Sequence, residues 1–210
     1  MREFVRNVSK NLLQHVLLPR SFVWRLPRGA GLALTFDDGP DPDFTPPLLD
    51  LLRNAGVRAT FFLIGSKVQE QPELAAQIAA EGHALGGHGF DHHVITSMSR
   101  AELGVDLERC RTAIRRASGV DTRLFRPPKG EVSLASIHGV HSHGYRLAHW
   151  SLTYSDYRRD GADLLLERMV ARPPRSGEVV LLHDNNPYTV QALSRMLPLW
   201  AHEGLRFATL

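Results

Sequence analysis

Residues 31–65 read GLALTFDDGPDPDFTPPLLDLLRNAGVRATFFLIG: an apolar run, an acidic turn, an amphipathic stretch and a second apolar run. Leu32–Phe36 has the length and unbroken apolar character of a buried strand. Pro46 and Pro47 suit the first turn of a helix, where a missing amide hydrogen costs nothing, Leu48, Leu49, Leu51 and Leu52 supply an apolar face, and Gly56 stops it. Ala59–Ile64 then reads as a second strand. A strand, a crossover helix and another strand form the unit from which parallel α/β sheets are built.

The alternation continues through the chain. Further strands are expected at His83–Gly87, Leu124–Arg126, Arg146–Ser151, Val179–His183 and Arg206–Leu210. Pro72 and Gly82 bracket one more helix, and Ser99 followed by Glu102 is a capping-box pattern that opens another through Leu103 to Ile114. Residues 29–210 therefore form one α/β domain, with a largely parallel sheet.

Residues 1–28 stand apart. Phe4, Val8 and Leu12, with Val5, Leu13, Val16 and Leu17, form an apolar helical face flanked by Arg2, Arg6 and Lys10. The expectation is an N-terminal helical segment docked on the domain, with weak peripheral membrane contact as its alternative. Its short apolar run does not make a secretory signal, so a cytoplasmic protein is expected, at most peripheral at the inner membrane face.

Composition narrows the function classes. A hydrophobic share of 43% and a charged share of 22% belong to an ordinary folded domain, and no stretch approaches the roughly 20 apolar residues of a membrane span. The net charge of +3 comes from scattered arginines rather than a basic run, which argues against nucleic acid as a partner. Cys110 is the only cysteine, so an internal disulfide and any multi-cysteine metal site are excluded. Its spacing with Leu103, Leu107 and Ile114 places it on the buried face of a helix.

The polar residues fall in a telling place. Asp37, Asp38, His88, Arg126, Asp156 and His183 all lie at or just past the carboxyl end of an expected strand, where active sites of parallel α/β folds assemble. In Thr35-Phe36-Asp37-Asp38-Gly39-Pro40 the two adjacent side chains point apart, so one carboxylate can bind a metal while the other serves as a base. A solvated acidic turn is the plain alternative. In Gly87-His88-Gly89-Phe90-Asp91-His92-His93, the two histidines four apart suit one face of a helical turn. With one carboxylate they make a three-donor set that leaves a position open for water.

With these motifs in hand, the chain resembles the polysaccharide deacetylase family, the NodB-homology or carbohydrate esterase family four domain, from about residue 31 to residue 210. The resemblance implies a distorted (β/α)7 barrel-like catalytic domain with its site at the carboxyl ends of the strands. It further implies Asp37 as base, with Asp38, His88 and His92 holding one divalent metal ion. The donors suit Zn2+, and Co2+, Ni2+, Fe2+ and Mn2+ fit the same set. Gly89 and Asp91 stand where the family has Ser or Thr, and Asp91 is a candidate to orient an imidazole.

The remaining motifs extend the likeness. Arg126-Pro127-Pro128-Lys129-Gly130 resembles the family's arginine loop, which implies Arg126 paired with Asp37 and the Lys129 amide on the oxyanion. Lysine replaces the usual tyrosine there and favours an acidic or phosphorylated substrate. In Trp150-Ser151-Leu152-Thr153-Tyr154-Ser155-Asp156-Tyr157 the likeness implies that Asp156 tunes the acid histidine and Tyr157 walls the acyl group. Thr153 and Tyr157 depart from the family's aspartate and tryptophan. Val179 to Asp184 implies His183 as general acid and Leu181 against the acyl methyl.

The expected activity is metal-dependent removal of an N-acetyl group from an amino sugar in an oligosaccharide, polysaccharide precursor or glycoconjugate. One alternative is deformylation or other deacylation of a lipid- or nucleotide-linked amino sugar. The other is a catalytically silent carbohydrate-binding domain. His138, His141 and His143 form a second cluster, read as surface.

Overall fold

The computed structural model describes residues 22–210. Eight strands form one sheet: β1 Phe22–Val23, β2 Ala33–Asp37, β3 Thr60–Leu63, β4 Ala84–Gly87, β5 Leu124–Phe125, β6 Arg146–Ala148, β7 Leu152–Thr153 and β8 Val179–His183. All pairings between named strands are parallel, in the order β1-β6-β5-β4-β3-β2-β8-β7. The sheet curls into a half-barrel. Seven α-helices are found among the described residues: α1 Thr45–Asn54, α2 Gly65–Glu70, α3 Pro72–Ala80, α4 Arg100–Ser118, α5 Leu134–Ser142, α6 Ala162–Ala171 and α7 Pro187–His202.

Helix boundaries follow their local chemistry. Helix α1 carries proline in its first turn and stops before Gly56, whose φ of 65° lies in the left-handed region. Helix α4 has the full capping box: the Ser99 hydroxyl accepts from the Glu102 amide at 3.3 Å and Glu102 accepts from the Ser99 amide at 2.7 Å. Such a cap contributes about 1 kcal/mol. Cys110 is buried in α4, where loss of solvent pushes its thiol up to about 12, so it is an inert core group.

Period-two alternation divides the strands between two faces. Leu34 and Phe36 of β2, Phe61 and Leu63 of β3, and Val180 and Leu182 of β8 join the main core with Leu48, Ile78, Cys110 and Trp200 from the helices. Full burial of each large side chain contributes roughly 1.5–3 kcal/mol. The alternate positions, Thr35, Asp37, Phe62, Leu181 and His183, fall outside that cluster and gather around Arg126 and the cleft.

Four expectations are corrected. The sheet has eight strands rather than seven, because Phe22–Val23 pairs with β6. Residues 22–28 thus begin with a sheet edge rather than helix, with Trp24 buried, and the rest of the expected N-terminal segment, residues 1–21, lies outside the described residues. Arg206–Leu210 is no named strand: β2 already pairs with β3 and β8, so the segment meets that neighbourhood through the Leu32–Phe207 bridge before β2 begins and a bond from the Leu210 amide to the Thr60 hydroxyl of β3 at 3.0 Å.

The fourth correction shapes the site. Only Arg146–Ala148 of the expected Arg146–Ser151 strand forms β6, after which the chain crosses to β7, Leu152–Thr153, towards the opposite end of the sheet. Between them the His149 amide donates to Val23 at 2.7 Å and the Ser151 amide to Val179 at 3.0 Å, so this short crossing spans the open side of the half-barrel. No helix among the described residues is long and apolar enough to cross a membrane.

Candidate active site

Parallel strands all end on one edge, and there the sequence places its acids and histidines. Asp37 closes β2, and its neighbour Asp38 adopts a left-handed φ of 77°, which turns the two carboxylates apart. A Cβ at Gly39 would collide with the buried Asp184 carboxylate, so this turn admits only glycine. Asp37 is the Cα partner of His183 on the adjacent strand β8.

Arg126 organises the floor. It is fully buried and donates from Nη1 to Asp37 Oδ1 at 2.7 Å and to Thr35 Oγ1 at 2.7 Å, and from Nη2 to the His149 carbonyl at 3.0 Å. Its guanidinium carbon lies 4.0 Å from the centre of the Phe62 ring. Burial lowers the guanidinium from its ordinary value while Asp37 opposes the shift. So deep a cation is retained because its two terminal nitrogens meet a carboxylate and polar oxygens and its face an aromatic ring, although Nε makes no hydrogen bond among the described residues. Thr35 and His149 were not among the expected site residues, since their part is visible only once Arg126 reaches them.

Asp38, His88 and His92 converge beside this pair. Asp38 Oδ1 lies 3.5 Å from His88 Nε2 and 3.3 Å from His92 Nε2. One donor atom from each of the three falls within 4.8 Å of the others, the one such grouping among the described residues. His88 Nδ1 lies 2.8 Å from the Arg126 carbonyl, which only accepts, so Nδ1 carries a hydrogen and the ring is held with Nε2 towards Asp38. Burial and the neighbouring His88 lower the His92 pKa against the pull of Asp38 and Asp37, favouring a neutral ring. Asp38 Oδ1 is buried and accepts no hydrogen bond. Two imidazoles aimed at an unbonded carboxylate oxygen fit a divalent cation such as zinc.

This loop differs from its expected form. His88 and His92 do not share a helical turn: Gly89 has φ 78° and His92 has φ 58°, and the backbone instead meets α2 through Gly65 and Ser66 amides on the Gly89 and Phe90 carbonyls. The Phe90 amide is taken by Asp106 of α4 at 3.0 Å. Those tertiary bonds outweigh the local spacing. Asp91 is exposed, and the Arg126 carbonyl rather than Asp91 orients His88. His138, His141 and His143 gather no donor set.

The opposite wall carries His183. Its Nδ1 lies 3.0 Å from Asp156 Oδ1, and its amide donates to Asp156 Oδ2 at 2.7 Å. Thr189 donates to the same carboxylate, and Asn186 holds the Asp156 carbonyl. Burial alone would lower the imidazole, but the bond to Asp156 and its charge, aided by Asp37 and Asp38, leave it raised to about 9. His183 is therefore protonated below about pH 9, ready to donate, and loses that proton as pH rises through this value. Asp156→Asn removes the charge, so the His183 pKa, followed by NMR titration, moves down by at least about one unit. An unmoved titration separates Asp156 from the raised imidazole.

Between the walls is a cleft of about 440 Å3 lined by Asp37, Asp38, His88, His92, Leu181 and His183, with Lys129, Gly130, Trp150, Thr153 and Tyr157 at its other sides. The Tyr157 ring meets His183 edge-on at 6.2 Å. Lys129 has φ 57°, is exposed, and enters no hydrogen bond among the described residues, whereas the next two amides are bonded to Pro127 and Pro128. Trp150 enters the cleft because the broken strand carries it across, a placement that no local pattern announces.

Known proteins are similar to this chain in sequence and fold. The polysaccharide deacetylase family pattern matches residues 20–148. A peptidoglycan-N-acetylglucosamine deacetylase of Bacillus cereus is 36% identical over 205 residues, covering 94% of this chain and 95% of that protein. A chitooligosaccharide deacetylase of Sinorhizobium fredii is 34% identical over 185 residues, covering 81% of this chain and 86% of its own. A solved peptidoglycan N-acetylglucosamine deacetylase in complex with 4-naphthalen-1-yl-N-oxidanyl-benzamide superposes with a TM-score of 0.86 at 30% identity, covering 92% of each chain. With a half-barrel whose strand ends bring an Asp-Asp pair, two histidines, a buried arginine and an acid-paired histidine to one cleft, this chain belongs to the polysaccharide deacetylase family.

Proposed function

We propose that the chain is a metal-dependent hydrolase that removes the N-acetyl group from an amino sugar within an oligosaccharide or polysaccharide. The observation that carries this reading is the pairing of Asp37 with His183 at one register on adjacent strands, beside the Asp38, His88 and His92 donors. Amide hydrolysis needs a base for water and an acid for the departing amine, and the cleft holds one of each.

Asp38, His88 and His92 would hold the ion, most readily zinc, which supplies Lewis-acid polarisation of the scissile carbonyl and eases water ionisation. Asp37 takes the proton of the attacking water, while Arg126 fixes its carboxylate. The oxygen of the new C–O bond comes from that water, and the Lys129 amide donates to the oxyanion. His183 then passes its proton to nitrogen as the C–N bond breaks, releasing acetate and a free amino sugar. Leu181 and Tyr157 enclose the acyl methyl. A carbohydrate-binding domain without chemistry would need neither the buried Arg126–Asp37 pair nor the Asp156-charged histidine.

The test is acetate release by the zinc-loaded protein from N-acetylglucosamine oligomers of increasing length, beside N-formyl counterparts and oligomers bearing a carboxylate or phosphate. Acetate from the oligomers is expected; formate released far faster than acetate points to the deformylase, and no release with zinc bound sinks the reading. Lys129 sets a further expectation, because it is exposed and lines the cleft. Lys129→Tyr lowers the kcat/KM ratio of anionic over neutral oligomers by about two- to fivefold, the scale of one exposed ion pair. An unchanged ratio removes lysine from specificity.

A further inference from the structure

Asp38 is the one carboxylate among the three donors, and it sits in a backbone conformation that L residues adopt at a cost. Two side chains from separate elements hold it there. Lys67 of α2 donates from Nζ to the Asp38 carbonyl at 2.8 Å. Asn185, two residues beyond His183, donates from Nδ2 to Asp38 Oδ2 at 3.2 Å. This engages one carboxylate oxygen and leaves Oδ1, buried and without a hydrogen bond, turned to the two imidazoles.

Asn185 is itself anchored. Its carbonyl accepts from Arg159 Nη2 at 2.8 Å, and the next residue, Asn186, donates to the Asp156 carbonyl at 2.7 Å. The segment after β8 therefore grips the Asp156 loop on one side and Asp38 on the other.

We infer that Asn185 is a positioning residue for the metal site: it occupies Asp38 Oδ2, so that the carboxylate meets a divalent ion through Oδ1 alone. The inference rests on the metal-dependent reading above. Loss of a group that orients a ligand lowers metal affinity by about 10- to 100-fold, and the same scale applies to Asn185.

The experiment is zinc affinity of the metal-free full chain by competition with a chromophoric chelator, for the parent protein, Asn185→Leu and Asn185→Gln. Leucine keeps the size and removes the donor; glutamine keeps an amide donor on a longer arm. Expected is zinc binding weakened at least tenfold in Asn185→Leu, a smaller loss in Asn185→Gln, and melting temperatures of the metal-free proteins that stay together. Affinity within twofold of the parent in Asn185→Leu, or equal losses in both variants, overturns the inference. A parent chain that binds no zinc overturns the metal reading itself, which the parent measurement alone reveals.

Discussion

His88→Ala and His92→Ala each abolish tight zinc binding and turnover together. Each removes one of three protein donors, a larger loss than that of a supporting group, so the zinc dissociation constant rises by more than about 10²-fold. The two variants differ in stability. His88 is buried, and its loss leaves a cavity and strips the Arg126 carbonyl of the donor at 2.8 Å. An unsatisfied buried acceptor costs about 1–3 kcal/mol, so the metal-free His88→Ala protein melts several degrees lower. His92 keeps a 30% exposed side chain, and its removal leaves the metal-free melting point near that of the parent. Zinc content by elemental analysis, read beside acetate release and calorimetry, checks both. Full occupancy with ordinary turnover in either variant removes that histidine from the site.

The strands richest in apolar side chains were legible because burial on both faces leaves nothing else for such runs to do. Val179–His183 forms the strand expected, and Leu32–Phe36 and Ala59–Ile64 lie within one residue of β2 and β3 at each end. Helix ends were legible where one residue's chemistry marks them, as Ser99 and Glu102 do for α4. What stayed hidden depends on distant partners. Arg146–Ser151 reads as one strand until β1 and β8 claim its two halves. The four-residue spacing of His88 and His92 suggests a helical turn until Gly65, Ser66 and Asp106 take the loop's backbone groups. Lys67 and Asn185 bear no local sign of a role, because each acts only through a residue more than twenty positions away.

Asp37→Asn separates chemistry from metal binding. The side chain keeps its size, and Asp38, His88 and His92 are untouched, so zinc affinity stays close to that of the parent. The amide cannot take the proton of water, and turnover falls by about 10²–10⁴, the usual contribution of a positioned base. Stability falls as well, since Arg126 is fully buried and Asp37 is its one carboxylate partner at 2.7 Å. Breaking such a pair from one side costs about 3–5 kcal/mol, because the remaining charge has no counterion. The double variant Asp37→Asn, Arg126→Met removes that stranded charge and fills the space with an apolar chain of similar length. It therefore regains part of the lost stability while turnover stays low. Denaturant unfolding of the metal-free proteins, with zinc affinity and acetate release measured on the same preparations, reads all three effects. If the single variant turns over normally with zinc bound, another group is the base; if the double variant is less stable than the single one, the buried ion pair is not what Arg126 needs from Asp37.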